Sequence, residues 1–329
     1  MDFSIFRLKF ITPLHIGNVR SDYTKSETII HSDTLYSSIF EAWSVLGKEN
    51  LIAEQTGNLQ FTVSSLFPYT VDKNVKFVYF FPKPLNLVAN QTTVVNLKEI
   101  KRIEFIDQEF LERYRNEGLN YDYSESVKGN FLSDKLIRSD FIQSEIYPRV
   151  SIPRDKGEAM PYYVERIFFT EGSGLYFIAQ FKNEQVKNNV ISALKYLGDE
   201  GFGTDRHVGN GMFEFDEDTI SFTEINSSSH AMNLSLYCPE NDSVKTILDD
   251  DYTAYELVTR GGWITTPMFN SLRKKYVRMF REGSILKINK YIDGKVVDVS
   301  PDKNLLPENL KNINPIYRIG KSLFLTVKI

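Results

Sequence analysis

Five glycines fall within the fourteen residues from Gly198 to Gly211, inside the run LGDEGFGTDRHVGNG that starts at Leu197. No other segment restricts the fold so much. Ahead of it, Val186, Val190, Leu194 and Leu197 recur at helical spacing from Glu184; after it, Met212–Phe215 alternates like a strand. The run therefore carries the chain out of a helix, which Gly198 ends, and into a strand. Glycine at this density admits positive φ and close backbone approach. Such a connection either packs tightly on its neighbours or turns successive N–H groups toward an anion such as a phosphate. Two familiar phosphate loops are excluded. A dinucleotide-binding loop runs from strand into helix, and a P-loop closes with Gly-Lys-Ser/Thr, whereas Met212 follows Gly211.

The segments upstream complete a pattern around this loop. Phe3–Phe10 alternates large apolar with small or charged residues, as a strand does. Pro13 and Gly17 mark a turn. A helix follows, with Ser32 as N-cap, Leu35, Ile39, Trp43 and Leu46 on one face and Gly47 at C′. Further strands are expected at Lys76–Phe81, Arg166–Phe181 and near Thr219–Thr223. Strand, helix, strands, helix, glycine loop and strand make the β-α-β-β-α-β order of a ferredoxin-like domain. The irregular stretch from Pro82 to Arg154, with charge runs at Lys98–Arg102 and Glu109–Arg115, reads as an insertion. The polar segment Glu224–His230 marks the boundary to a strand-rich second domain, with strands expected at Ala231–Tyr237, Ser243–Leu248, Tyr255–Val258, Val277–Phe280, Ile285–Ile288 and Leu323–Val327.

The 329 residues suffice for two domains of moderate size, each able to bury a core. One cysteine, Cys238, permits neither an internal disulfide nor a cysteine-based zinc site, which suits a reducing cytosol. The sequence shows no signal-peptide pattern and no stretch of the ~18 apolar residues that a membrane-spanning helix needs. Its net charge of −4 conceals an asymmetry. From Asp199 to Glu256, 14 acidic residues face only Arg206 and Lys245; from Leu257 to Ile329, 14 basic residues face five acidic ones. One region can meet an anion and the other a basic neighbour, or the two are simply differently solvated surfaces.

None of the four histidines, His15, His31, His207 and His230, has HExxH spacing or a carboxylate cluster that completes a metal site, and no cofactor motif is present. His15, in the turn after the first strand, is the one a metal-independent ribonuclease could use. The segment His31–Leu35 opens the first helix, where free N–H groups can seat a phosphate, although Asp33 competes with an anion there. Arg149 and Arg154 flank a short extended run and have the side chain best suited to phosphate.

Taken in order, several short segments resemble the fourth subunit of the Csm complexes, type III-A CRISPR effectors, within the RAMP superfamily. They are Pro13–Gly17, His31–Leu35, Phe81–Leu85, Arg149–Arg154, Gly209–Glu214, Gly261–Trp263, Glu282–Ser284, Val297–Val299 and Pro315–Lys321. The resemblance implies an α+β chain of two ferredoxin-like (RRM-like) RAMP domains. The first spans residues 1–226, with an insertion at about 83–158 holding a protruding thumb hairpin and the glycine loop at 198–211; the second spans 227–329. It also implies a non-catalytic, cytoplasmic RNA-binding subunit that grips the 5′ repeat-derived tag of the guide RNA (crRNA) in antiviral defence. Its partners would be the large polymerase-like subunit and the backbone RAMP subunit, with target RNA reached only through the complex and no membrane. The expected RNA contacts are the backbone at Gly201, Gly203, Gly209 and Gly211, the side chains of Arg149, Arg154 and Arg206, and His15 and Ser32 close to the tag. Two departures from the family pattern bear on these contacts: Thr204–His207 stand where smaller residues are usual, and Asn314 where a histidine is expected. A metal-independent RAMP endoribonuclease that processes precursor RNA through His15 is the alternative, although such enzymes usually carry their glycine loop near the C-terminus.

Overall fold

The computed structural model describes residues 1–17, 22–87, 101–117, 126–152, 158–226, 228–266, 269–288, 294–302, 304, 306 and 314–329. The first two thirds of the chain run β1 (Asp2–Phe10), α1 (Ser32–Val45), α2 (Glu49–Gly57), β2 (Phe61–Val63), β3 (Phe67–Val71), β4 (Phe77–Pro82) and β5 (Phe105–Asp107). Then come α3 (Gln108–Glu117), β6 (Val127–Lys128), β7 (Phe131–Leu132), β8 (Ile142–Ser151), β9 (Met160–Phe169), β10 (Gly174–Phe181), α4 (Glu184–Glu200) and β11 (Phe213–Ser221). Among the described residues nine strands share one sheet, ordered β11-β1-β10-β3-β4-β5-β7-β6, with β2 also beside β10.

Alternation along the central strands puts a different core on each face of this sheet. Phe6 and Leu8 of β1, with Leu175, Phe177 and Ala179 of β10, pack with Leu35, Ile39 and Trp43 of α1 and Val190 and Leu194 of α4. Each large apolar side chain so buried contributes about 1.5–3 kcal/mol. Phe3 and Ile5 of β1, with Tyr176 and Ile178 of β10, face the other way. They meet Phe105, Phe110 and Leu111 of the insertion and Met232, Leu234, Ile285 and Leu325 from the last third of the chain. The sheet is thus covered on both faces, and the two halves of the chain share one core.

In the last third, β12 (His230–Asn233), α5 (Asn241–Leu248), β13 (Leu257–Arg260), β14 (Trp263–Thr266), β15 (Phe269–Arg273), β16 (Val277–Phe280), β17 (Ile285–Lys287), β18 (Val296–Asp298), β19 (Tyr317–Ile319) and β20 (Phe324–Val327) follow. Among the described residues they form a three-stranded sheet, β17-β12-β20, and the ladders β13-β16, β14-β15 and β18-β19. The α+β class holds, but these pairings do not outline a second ferredoxin-like unit. Ser243–Leu248, expected as a strand, lies in α5: Val244, Ile247 and Leu248 sit at i, i+3 and i+4, a helical spacing. Arg166–Phe181 divides into β9 and β10 around Gly172, whose φ is +74°. Gly198 lies inside α4, where a Cβ would stand 2.6 Å from the Phe213 carbonyl oxygen; Gly201, at φ +86°, ends the helix instead. No helix among the described residues is long and apolar enough to cross a membrane.

Candidate nucleic-acid interface

The glycine run folds back on itself and on the turn after β1. Gly201 N–H donates to Leu197 O (2.8 Å), Gly209 N–H to Arg206 O (2.9 Å) and Gly211 N–H to Pro13 O (2.8 Å), while Thr204 N–H donates to His15 O (3.0 Å). The expected cradle of four glycine backbones is therefore narrowed. The N–H groups of Gly201, Gly209 and Gly211 are spent within the protein, and Gly203 is the member for which the structure records no such bond. A Cβ on Gly203 would stand 2.4 Å from His15 O, and one on Gly211 1.9 Å from Phe202 O, both at positive φ. Close packing is what these two positions require.

Asp205, one of the four bulkier residues at Thr204–His207, is paired with two arginines. Its carboxylate meets Arg149 Nη1 at 3.0 Å, Arg166 Nη2 at 3.5 Å and Asn210 Nδ2 at 2.9 Å. These contacts fasten the β8–β9 hairpin to the glycine loop, since Arg149 lies on β8 and Arg166 on β9. Arg206 forks onto Glu41 of α1. Both expected arginine contacts thus already hold carboxylates while staying about one quarter exposed. Arg154 lies outside the described residues.

His15 is buried to 1% exposure. Its Nδ1 lies 2.7 Å from Glu165 O, so Nδ1 carries the proton; among the described residues Nε2 has no partner. Next to it opens a cleft of about 470 Å³, bounded by Ile16, Gly17, Tyr23, Glu27, the loop from Gly201 to Thr204, Arg206, His207 and Arg260. A second cavity of about 800 Å³, with Lys83, Lys101 and Arg281 on its walls, shares Glu27, His31 and Arg260 with the first, so the N-terminus of α1 lies between the two.

That N-terminus is a polar hub rather than an open phosphate seat. Ser32 does not cap α1: His31 occupies the N-cap, and Ser32, fully buried in the first turn, accepts the Leu236 N–H on Oγ at 3.0 Å. It is a clamp between the two halves, with its side chain closed off from the surface. Asp33, also fully buried, takes Arg260 through two oxygens, each at 3.0 Å, and Arg318 at 2.9 Å. Burial alone would push its carboxyl up, but Arg318 and Arg260 outweigh this and hold it at about 2. His31 Nδ1 lies 2.8 Å from Glu282, which also accepts Ser65 Oγ. Sequence reading missed Arg260, Arg318 and Glu282 as members of one cluster, because over 200 residues separate them from α1. The charge asymmetry was the available signal, and it names a region only.

Two family models match the chain, one described as RAMP superfamily over residues 7–214 and one as CRISPR Csm4 C-terminal domain over residues 226–327. Two curated proteins called "CRISPR system Cms protein Csm4" are similar to it. The one from Methanocaldococcus jannaschii is 25% identical, over 92% of this chain and 90% of that protein; the one from Thermococcus onnurineus is 28% identical, over 79% and 82%. Among solved structures, the fold is similar to a chain of a Csm3-Csm4 subcomplex in the type III-A CRISPR-Cas interference complex (21% identity, TM-score 0.62, all of both chains). It is also similar to a chain of a Csm1-Csm4 cassette in complex with cA4 (19% identity, TM-score 0.62, 100% of this chain and 99% of that one).

Proposed function

The chain belongs to the RAMP superfamily, and from that premise we propose that it is the non-catalytic guide-RNA-binding subunit of a type III-A (Csm) CRISPR effector complex in antiviral defence. The observation that carries this reading is the succession of a superfamily match over 7–214 and a Csm4 C-terminal match over 226–327. The same bounds support dividing the chain at about 226/227. The cleft beside the glycine loop is the seat we assign to the 5′ tag of the crRNA, with Gly203, Arg149 and Arg206 on the phosphate path. The β8–β9 hairpin, at the end of the insertion, is the thumb. Docking to the large polymerase-like subunit and to the backbone RAMP subunit follows from the Csm1-Csm4 and Csm3-Csm4 assemblies that the fold resembles, and target RNA is met through them. A cytoplasmic location goes with this role.

The non-catalytic reading draws on His15. Its ring is 1% exposed, and Nε2, the nitrogen left basic when Nδ1 donates to the Glu165 carbonyl, is itself buried, so a general base open to a 2′-hydroxyl in the cleft is not formed there. Co-expression with the neighbouring subunits tests the proposal: the chain is expected to co-purify with guide RNA in a stable particle, while alone it leaves labelled precursor RNA intact. A complete particle without this chain would overturn the scaffold role. Site-specific cutting abolished by His15→Ala would establish the endoribonuclease instead.

A further inference from the structure

We propose that Tyr23 is a stacking platform for one base of a single-stranded RNA in the cleft beside the glycine loop; this rests on the guide-RNA reading above. Tyr23 is 41% exposed, yet it is held firmly. Its carbonyl accepts the Glu165 N–H at 2.9 Å, and three residues further on Ser26 Oγ accepts the Ile16 N–H at 2.9 Å, so the segment from Tyr23 to Ser26 is tied down at both of its ends. Tyr162 of β9 braces its ring at 5.8 Å and 59°, and the buried His15 ring lies 6.1 Å away at 30°. A ring fixed in this way offers a π-face at small entropic cost.

The rest of the cleft complements a nucleotide. Residues Gly201 to Thr204 line it together with the basic side chains of His207, of Arg206, which also holds Glu41, and of Arg260, which also holds Asp33. Of the two carboxylates on its walls, Glu41 is paired with Arg206, and Glu27 lies 3.6 Å from His31. An aromatic face sharing a groove with basic side chains is how proteins hold single strands, with the base on the ring and the phosphate on the charges.

The test uses the particle reconstituted on guide RNA carrying 2-aminopurine at one tag nucleotide at a time. Fluorescence is expected to be quenched at one position and to recover there in Tyr23→Ala and Tyr23→Leu but not in Tyr23→Phe. Guide-RNA affinity should fall about 5- to 150-fold in the first two variants. Unchanged quenching at every position in particles of both variants that still contain RNA would overturn the platform and leave the guide-RNA reading intact. Lost incorporation of the chain with unchanged quenching would assign Tyr23 to a protein contact instead. Wild-type particles lacking guide RNA would overturn both.

Discussion

At the scale of single residues, the glycines of the loop differ in what they do. Gly211 sits at φ +77° with the Phe202 carbonyl where a Cβ would go, whereas Gly209, at φ +80°, faces open space. Gly211→Ala is therefore expected to cost on the order of 3 kcal/mol or more and Gly209→Ala about 1 kcal/mol in urea melts, because only the first adds a clash to the backbone strain. Equal losses would show that the loop is looser than its contacts imply. Asp33→Asn removes the buried charge that Arg318 and the half-buried Arg260 share, and breaking such a cluster costs about 3–5 kcal/mol. The same melts would count against the cluster as a stabilising unit if the loss stayed under about 1 kcal/mol. Sequence reading noted Asp33 only as a competitor for an anion. Nothing local to His31–Leu35 reveals that Arg260 and Arg318 come to meet it.

Among the elements, the start of α1 carries a pH dependence. Burial would lower His31, but Glu282 outweighs it and raises His31 above its ordinary 6.5, while Glu282 itself stays below its ordinary 4.5 despite burial. A raised histidine contributes stability that is fully present below 6.5 and lost as pH climbs through the raised value. Glu282 contributes above 4.5 and loses its contribution as pH falls through its lowered value. Asp33 and Arg260 also face His31, and their charges stay fixed over this range. The melting difference between the wild type and His31→Gln should hence shrink steadily from pH 6 to pH 9; a constant difference would mean that the contact is not ionic. The β8–β9 hairpin adds a second expectation. Its register pairs Pro148 with Tyr163 and Val150 with Pro161, which puts Ile146, Pro148, Val150, Pro161 and Tyr163 on one exposed apolar face. Replacing Ile146, Val150 and Tyr163 with serine should leave the melt of the isolated chain within about 0.5 kcal/mol per site but reduce its incorporation into the particle. A large melting loss would show that the face is part of the chain's own core.

For the molecule as a whole, the shared core decides how the halves behave. Met232, Leu234, Ile285, Leu323, Leu325 and Val327 pack in one cluster with Phe3, Ile5, Tyr176 and Ile178. Arg115 of α3, fully buried, donates Nε to Thr326 O at 2.9 Å and Nη2 to Thr223 O at 2.9 Å. Residues 1–226 expressed alone should then expose this apolar face, bind a hydrophobic dye and aggregate, although the sequence suggested two domains each with its own core. A monomeric 1–226 fragment melting like the whole chain would refute the shared core.

What the sequence determined by itself is the part written in short-range periodicity. Alternation in β1, the heptad-like stripes of α1 and α4, and the glycine run between α4 and β11 lie within a few residues of one another, and backbone geometry reads them directly. The ordered short segments added the family, because their succession along the chain needs no contact map. Tertiary structure alone decided which loop donors are spent, that Ser32 and Asp33 are buried clamps, that Asp205 is neutralised by the hairpin, and that Tyr23 lines the cleft. Apart from the local bonds of Gly201 and Gly209, each depends on partners brought from dozens to hundreds of residues away, and hydrogen bonds and ion pairs of about 3 Å leave no periodic trace in the sequence.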